Sequence, residues 1–132
     1  MIFGIGTDIV SYARIQAVHE RYGDRFARRI LSPQELSEYF KHTQPGRLLF
    51  KRFAAKEALS KAMGLGLRSP ITFQRISISH DHLGKPIFVF DATLAAYLRQ
   101  LGITHHHLSI SDERDMAIAI VVLESTESGT AQ

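Results

Sequence analysis

The chain has 132 residues, 45% of them hydrophobic, a formal charge of +3 and a pI near 9.4, so one folded domain with an anionic partner is expected. The absence of cysteine excludes disulfide scaffolds, thiolate zinc sites and cysteine nucleophiles. No apolar run approaches the roughly 20 residues of a membrane-spanning helix and no basic-then-apolar N-terminal signal is present, so the expected location is cytoplasmic, with no membrane partner.

At the N-terminus "IFGIGTDIV" sets Phe3, Ile5, Thr7 and Ile9 against Gly4, Gly6 and Asp8. As a strand it has one bulky face and one nearly bare face ending in a carboxylate, and the bare face invites close approach by another element. Ser11 caps a predicted helix through about Tyr22, with Tyr12, Ile15, Val18 and Tyr22 as its apolar stripe and Arg14 and Arg21 on its solvent face. A second short helix follows Gly23. "SPQE" at 32–35 combines a capping serine, a proline at the first helical position and a glutamate three residues on, which starts a helix through about Phe40.

A loop with Pro45 and Gly46 leads into "KRFAAKEALSKAMG", a long helix ending near Gly64 or Gly66. "FQRISISH" and "PIFVF" read as strands joined around "DHLGK", "DATLAAYLRQLG" as an aspartate-capped helix, and "HHHLSIS" with "MAIAIVVL" as a last hairpin. The order implies an α+β fold, with a largely antiparallel sheet wrapped around the long helix. The domain is expected over 1–124, with a frayed polar tail over 125–132.

Glu57 stands among small apolar residues of the long helix, and a buried carboxylate must be protonated, paired or bound to a cation. A local ion pair with Lys61, four residues on, is the simplest answer. Asp8, on a strand face bare enough for the alanine-lined helix to sit against, offers a second carboxylate. Two converging acids call for a shared proton or a hard divalent ion; magnesium takes one or two carboxylates and completes its shell with water and phosphate oxygens. Arg52, Lys56 and Lys61 supply cations nearby, and the arginines concentrate in "RYGDRFARRI".

"GIGTDIV" together with "KRFAAKEALSKAMGLG" about fifty residues later resembles the paired signature of the holo-acyl-carrier-protein synthases, of the 4'-phosphopantetheinyl transferase superfamily. The likeness extends through "RILSPQEL", "LGKP" and "LSIS". It implies transfer of the 4'-phosphopantetheine arm of coenzyme A to a serine of apo acyl carrier protein, releasing adenosine 3',5'-bisphosphate, with magnesium, for fatty acid biosynthesis. By motif, Asp8 and Glu57 would be the metal ligands and Lys61 would contact the pyrophosphate. Arg47, Arg52, Gly64, Gly66, Pro86, His107 and Ser109 match coenzyme-binding positions. The resemblance also implies a homotrimer with sites between subunits. Many relatives carry histidine where this chain has Asp112, which is left without a role. The acidic carrier protein explains the basic face: Arg14, Arg21 and Arg25 are the expected docking residues.

Two other readings are weaker. The run His105–His107 lacks a helical ligand pair and a third acidic ligand, which argues against zinc. The chain carries no recognised nucleic-acid motif or aromatic platform, so no nucleic-acid partner is expected.

Overall fold

Gly4 and Gly6 decide how the layers stack. In the computed structural model, which describes residues 1–126, Ile2–Ser11 forms β1, paired antiparallel with β5 (Met116–Ser125), whose other edge pairs antiparallel with β4 (Ile103–Asp112). The inner face of this sheet rests on the long helix α4 (Pro45–Met63). A Cβ on Gly4 would collide with the carbonyl of Ala62, and one on Gly6 with that of Ala58. Strand and helix therefore meet backbone to backbone, with Ala54, Ala55 and Ala58 fully buried. The bulky face of β1 turns the other way, leaving Ile5 and Ile9 exposed.

The helices α1 (Tyr12–Tyr22), α2 (Asp24–Ile30) and α3 (Pro33–Lys41) pack on α4. Ser11 caps α1 by accepting from the Arg14 N–H, and Ser32 and Glu35 form the expected capping box on α3. The helix α4 begins at Pro45, inside the expected loop, because proline suits the first helical position where no N–H is needed. It ends on Gly64, whose φ of 76° is the left-handed conformation that glycine adopts freely.

Residues Phe73–Arg75 form a 3-10 turn, so the following strand, β2, is shorter than expected (Ile76–His80); it pairs with β3 (Pro86–Phe90) in a separate two-stranded sheet. The helix α5 (Ala92–Gln100), capped by Asp91, leads into β4. His106 of β4 joins the two sheets, its ring edge-on to Phe88 and Phe90 at 5.9 and 5.0 Å. Burial there lowers its pKa and favours the neutral ring. Of the expected tail, Ser125 closes β5 and Thr126 donates its N–H to the Gly102 carbonyl at 3.0 Å; residues 127–132 lie outside the described residues.

Candidate active site and coenzyme pockets

The inward residues of β1 run Gly4, Gly6, Asp8 along α4, which brings Asp8 to the helix face carrying Glu57 and Lys61. Lys61 Nζ donates to Asp8 Oδ1 at 2.9 Å. The lysine is half-exposed, whereas the Asp8 side chain is only 13% exposed, so the acid is the group that depends on the pair. Burial pushes the Glu57 carboxyl up, and the negative charge of Asp8 adds to that; Lys61 and Arg14 pull it back. Two acids 49 residues apart in sequence thus share one electrostatic site with a lysine. The local pairing of Glu57 with Lys61 is not what forms. Among the described residues the Glu57 carboxylate has no ion pair or hydrogen bond, which leaves it free for a ligand.

Beside this site, α1, α2 and the 3-10 turn enclose a cleft of about 600 Å³. Its floor is apolar, with Val18, Phe26 and Phe53, and its rim carries Arg25 and Arg29. Arg14 lies over the Phe53 ring at 6.0 Å and Arg21 over Tyr22 at 5.4 Å, so the expected basic residues border one apolar hollow.

The expected coenzyme-binding residues fall in several places. A polar pocket of about 260 Å³ is lined by Arg52 and Pro86, with Lys51, His42, His80 and the acids Glu38 and Asp112. Arg47 does not line it. Its guanidinium lies 4.9 Å from the rings of both Tyr12 and Phe50 and donates to Asp112 Oδ2 at 3.1 Å and to the Glu113 and Arg114 carbonyls at 2.7 and 2.6 Å, holding the turn between β4 and β5. Gly64 and Gly66 lie at and beyond the end of α4, where an added Cβ would meet open space. His107 and Ser109 lie on the outer face of the sheet, His107 Nε2 bonded to Glu124 Oε1 at 2.7 Å.

Sequence reasoning missed a buried ionic node. Glu35 accepts four hydrogen bonds: Ser32 N–H at 3.0 Å and Lys56 Nζ at 2.5 Å on Oε1, Arg52 Nη1 at 3.0 Å and Ile78 N–H at 2.9 Å on Oε2. Lys56 is fully buried, and burial lowers its pKa to about 8; Glu35 opposes that shift and Arg52 adds to it. The signal was a lysine set among alanines and a leucine, with no local acid turned toward it.

The residues from 4 to 121 match the model of the 4'-phosphopantetheinyl transferase superfamily. Over 124 residues the chain is 56% identical to the holo-[acyl-carrier-protein] synthase of Nitrosomonas europaea, covering 94% of this chain and 99% of that protein. The crystal structure of the holo-[acyl-carrier-protein] synthase from Neisseria meningitidis superposes with a TM-score of 0.92 at 49% identity, over 95% of this chain and all of that one. That of a Bacillus anthracis synthase in complex with coenzyme A (3',5'-ADP) gives 0.78 at 36%, over 96% and 99%. Fold and matched residues are those of a group-transferring enzyme. The chain belongs to the 4'-phosphopantetheinyl transferase superfamily, in its holo-acyl-carrier-protein synthase branch.

Proposed function

We propose that the chain transfers the 4'-phosphopantetheine moiety of coenzyme A to a serine of apo acyl carrier protein, and that the meeting of Asp8, Glu57 and Lys61 is the observation that carries this reading. The serine oxygen attacks the β-phosphorus of coenzyme A. A new phosphodiester bond forms as the bond to adenosine 3',5'-bisphosphate breaks, and the serine proton leaves to a base. Catalysis of such a step is mainly alignment and neutralisation of phosphoryl oxygens. Lys61 would hold the diphosphate, exchanging its bond to Asp8 for one to a phosphate oxygen. Glu57, its carboxyl raised by burial and by Asp8 and without a protein partner among the described residues, would take the serine proton by way of a water molecule.

Asp8 and Glu57 fit magnesium: both are hard oxygen donors, they repel each other unneutralised, and one is short of partners. Bound there, the ion would supply positive charge to the diphosphate. In the polar pocket Lys51 and Arg52 would meet the phosphorylated nucleotide end of the coenzyme, Arg52 giving up its bonds to the half-exposed Glu38 while keeping that to Glu35. The arginine-rimmed cleft suits an acidic carrier protein, with Arg14, Arg21 and Arg25 for steering and the apolar floor for affinity.

The outer face of the three-stranded sheet supports self-association as a homotrimer. Ile5, Ile9, Ile118 and Ile120 are 58, 59, 42 and 43% exposed on it, a cluster of branched apolar side chains that a second copy would cover. His107 and Ser109 share that face, on the opposite side of the sheet from Asp8. Coenzyme-binding residues divided between two faces can meet only when a second copy brings its outer face to the first copy's pocket. A cytoplasmic location would suit these substrates; no helix among the described residues is long and apolar enough to cross a membrane.

Incubating the protein with coenzyme A, magnesium and an apo carrier protein, then weighing the carrier, tests the reading. The carrier should gain one phosphopantetheine group, and chelation of magnesium should stop it. An unmodified carrier overturns the proposal.

A further inference from the structure

The C-terminal end of α2 is finished by side chains from elsewhere in the fold. A helix leaves its last four carbonyls without intrahelical donors. In α2 the Ala27 carbonyl takes the Leu31 N–H at 2.9 Å. Those of Arg28 and Arg29 take Gln74 Nε2, at 3.4 and 2.8 Å. The Ile30 carbonyl takes Lys56 Nζ at 2.7 Å. All four are accounted for, three of them by residues far along the chain.

Lys56 does a second thing. Its ammonium has three hydrogens and meets three acceptors: the Ile30 carbonyl, Glu35 Oε1 at 2.5 Å and the Phe73 carbonyl at 3.0 Å. Ile30 belongs to one wall of the arginine-rimmed cleft and Phe73 to the other. Gln74, exposed on the 3-10 turn, crosses between the same two walls from the outside. The α2 wall and the turn are thus tied together twice, once from the core and once from the surface. Between the ties the Phe53 and Phe73 rings stack with centroids 5.7 Å apart, forming part of the floor.

We propose that Gln74 and Lys56 are positioning residues for carrier-protein docking, fixing the separation of α2 from the Phe73–Arg75 turn so that the cleft keeps the width its partner requires. This rests on the docking reading above. Neither residue needs to touch the reacting groups, and Lys56, with no exposed surface, cannot touch a partner at all. Any influence it has on the carrier must pass through the cleft walls.

The test compares Gln74→Met, which keeps a side chain of similar length without the donor, with Lys56→Met and with Arg25→Glu on the cleft rim. Steady-state kinetics are run with each substrate varied separately. Both methionine variants should raise the Michaelis constant for the carrier about tenfold while that for coenzyme A stays within about twofold, a split that mere loss of stability would not give. Should Arg25→Glu raise the carrier constant while the two methionine variants do not, the clamp is overturned and the docking site stands. Should none of the three alter it, docking lies elsewhere and both readings fall. An effect of Gln74→Met without one from folded Lys56→Met also overturns the clamp, since it would mark direct contact by Gln74. If Lys56→Met does not fold, Gln74→Met is read a second way: the clamp requires faster amide exchange across α2 in the free enzyme beside the raised carrier constant, and a raised constant with unchanged exchange overturns it.

Discussion

Glu57 holds a charge where the protein makes it unwelcome. Its carboxyl is pushed up first by burial and then by Asp8, so over the pH range just above the ordinary carboxylate value the folded chain binds more protons there than the unfolded chain does. Stability from this group is present in acid and is lost as pH rises through its raised value. Glu57→Gln should therefore melt at a higher temperature than the wild type at pH 7 without magnesium, with the gap closing toward pH 4; scanning calorimetry across that range reads it. Magnesium should raise the melting temperature of the wild type and not that of Glu57→Gln, because a ligand that binds only the folded form stabilises it by mass action. At Lys61 the replacement Lys61→Met should lower kcat by about 10²–10³-fold, the scale for losing one group that stabilises transition-state charge. Asp8 and Glu57 were legible in the sequence, because a strand face bare of side chains and an alanine-lined helix fit each other. The partner of Lys61 was not. Helical spacing points to Glu57, and only the strand's closeness through Gly4 and Gly6 makes Asp8 the nearer acid.

Among the elements, the contact of β1 with α4 and the node at Glu35 govern the site's position. Gly6→Ala would drive a methyl group into the Ala58 carbonyl, and the strand would have to lift from the helix. Overpacking of this kind costs about 1–3 kcal/mol, readable as a lower urea midpoint, and it should weaken activity as well because Asp8 moves with the strand. Glu35→Gln should cost more, about 3–5 kcal/mol by the same measurement, since it leaves Lys56 in the interior without a counter-charge and Arg52 with only the half-exposed Glu38. The capping box around Ser32 was plain from sequence, being a local pattern over four residues. The wider work of Glu35 was hidden, because its other partners, Arg52, Lys56 and Ile78, lie 17, 21 and 43 residues away. The start of α4 was misplaced for a similar reason: Pro45 and Gly46 signal a loop by composition, while proline in the first helical turn loses no hydrogen bond.

For the whole molecule, the isoleucine face of the sheet and the division of the proposed coenzyme residues between its two sides make one expectation. Ile118→Asp, at the middle of that face, should shift the protein to a monomer in sedimentation velocity and abolish coenzyme binding, though Asp8, Glu57 and Lys61 are untouched. A monomer that still binds coenzyme A would refute the shared site. The alternation of bulky and small residues in "IFGIGTDIV" was visible at once and set the bare face against the helix, while the α+β layering followed from the order of the elements; that the bulky face would be left exposed could not be read, since isoleucine ordinarily marks the inside. That inversion ties two properties to a single parity. Deleting one residue between Gly4 and Asp8 would set those two on opposite sides of the strand, so that with Gly4 still against the Ala62 carbonyl the acid swings out to water and Ile9 turns toward the helix in its place. Lesions of the reading register here should thus extinguish folding and chemistry in one stroke, whereas a swap of one outward aliphatic residue for another should pass almost unnoticed by the lone chain.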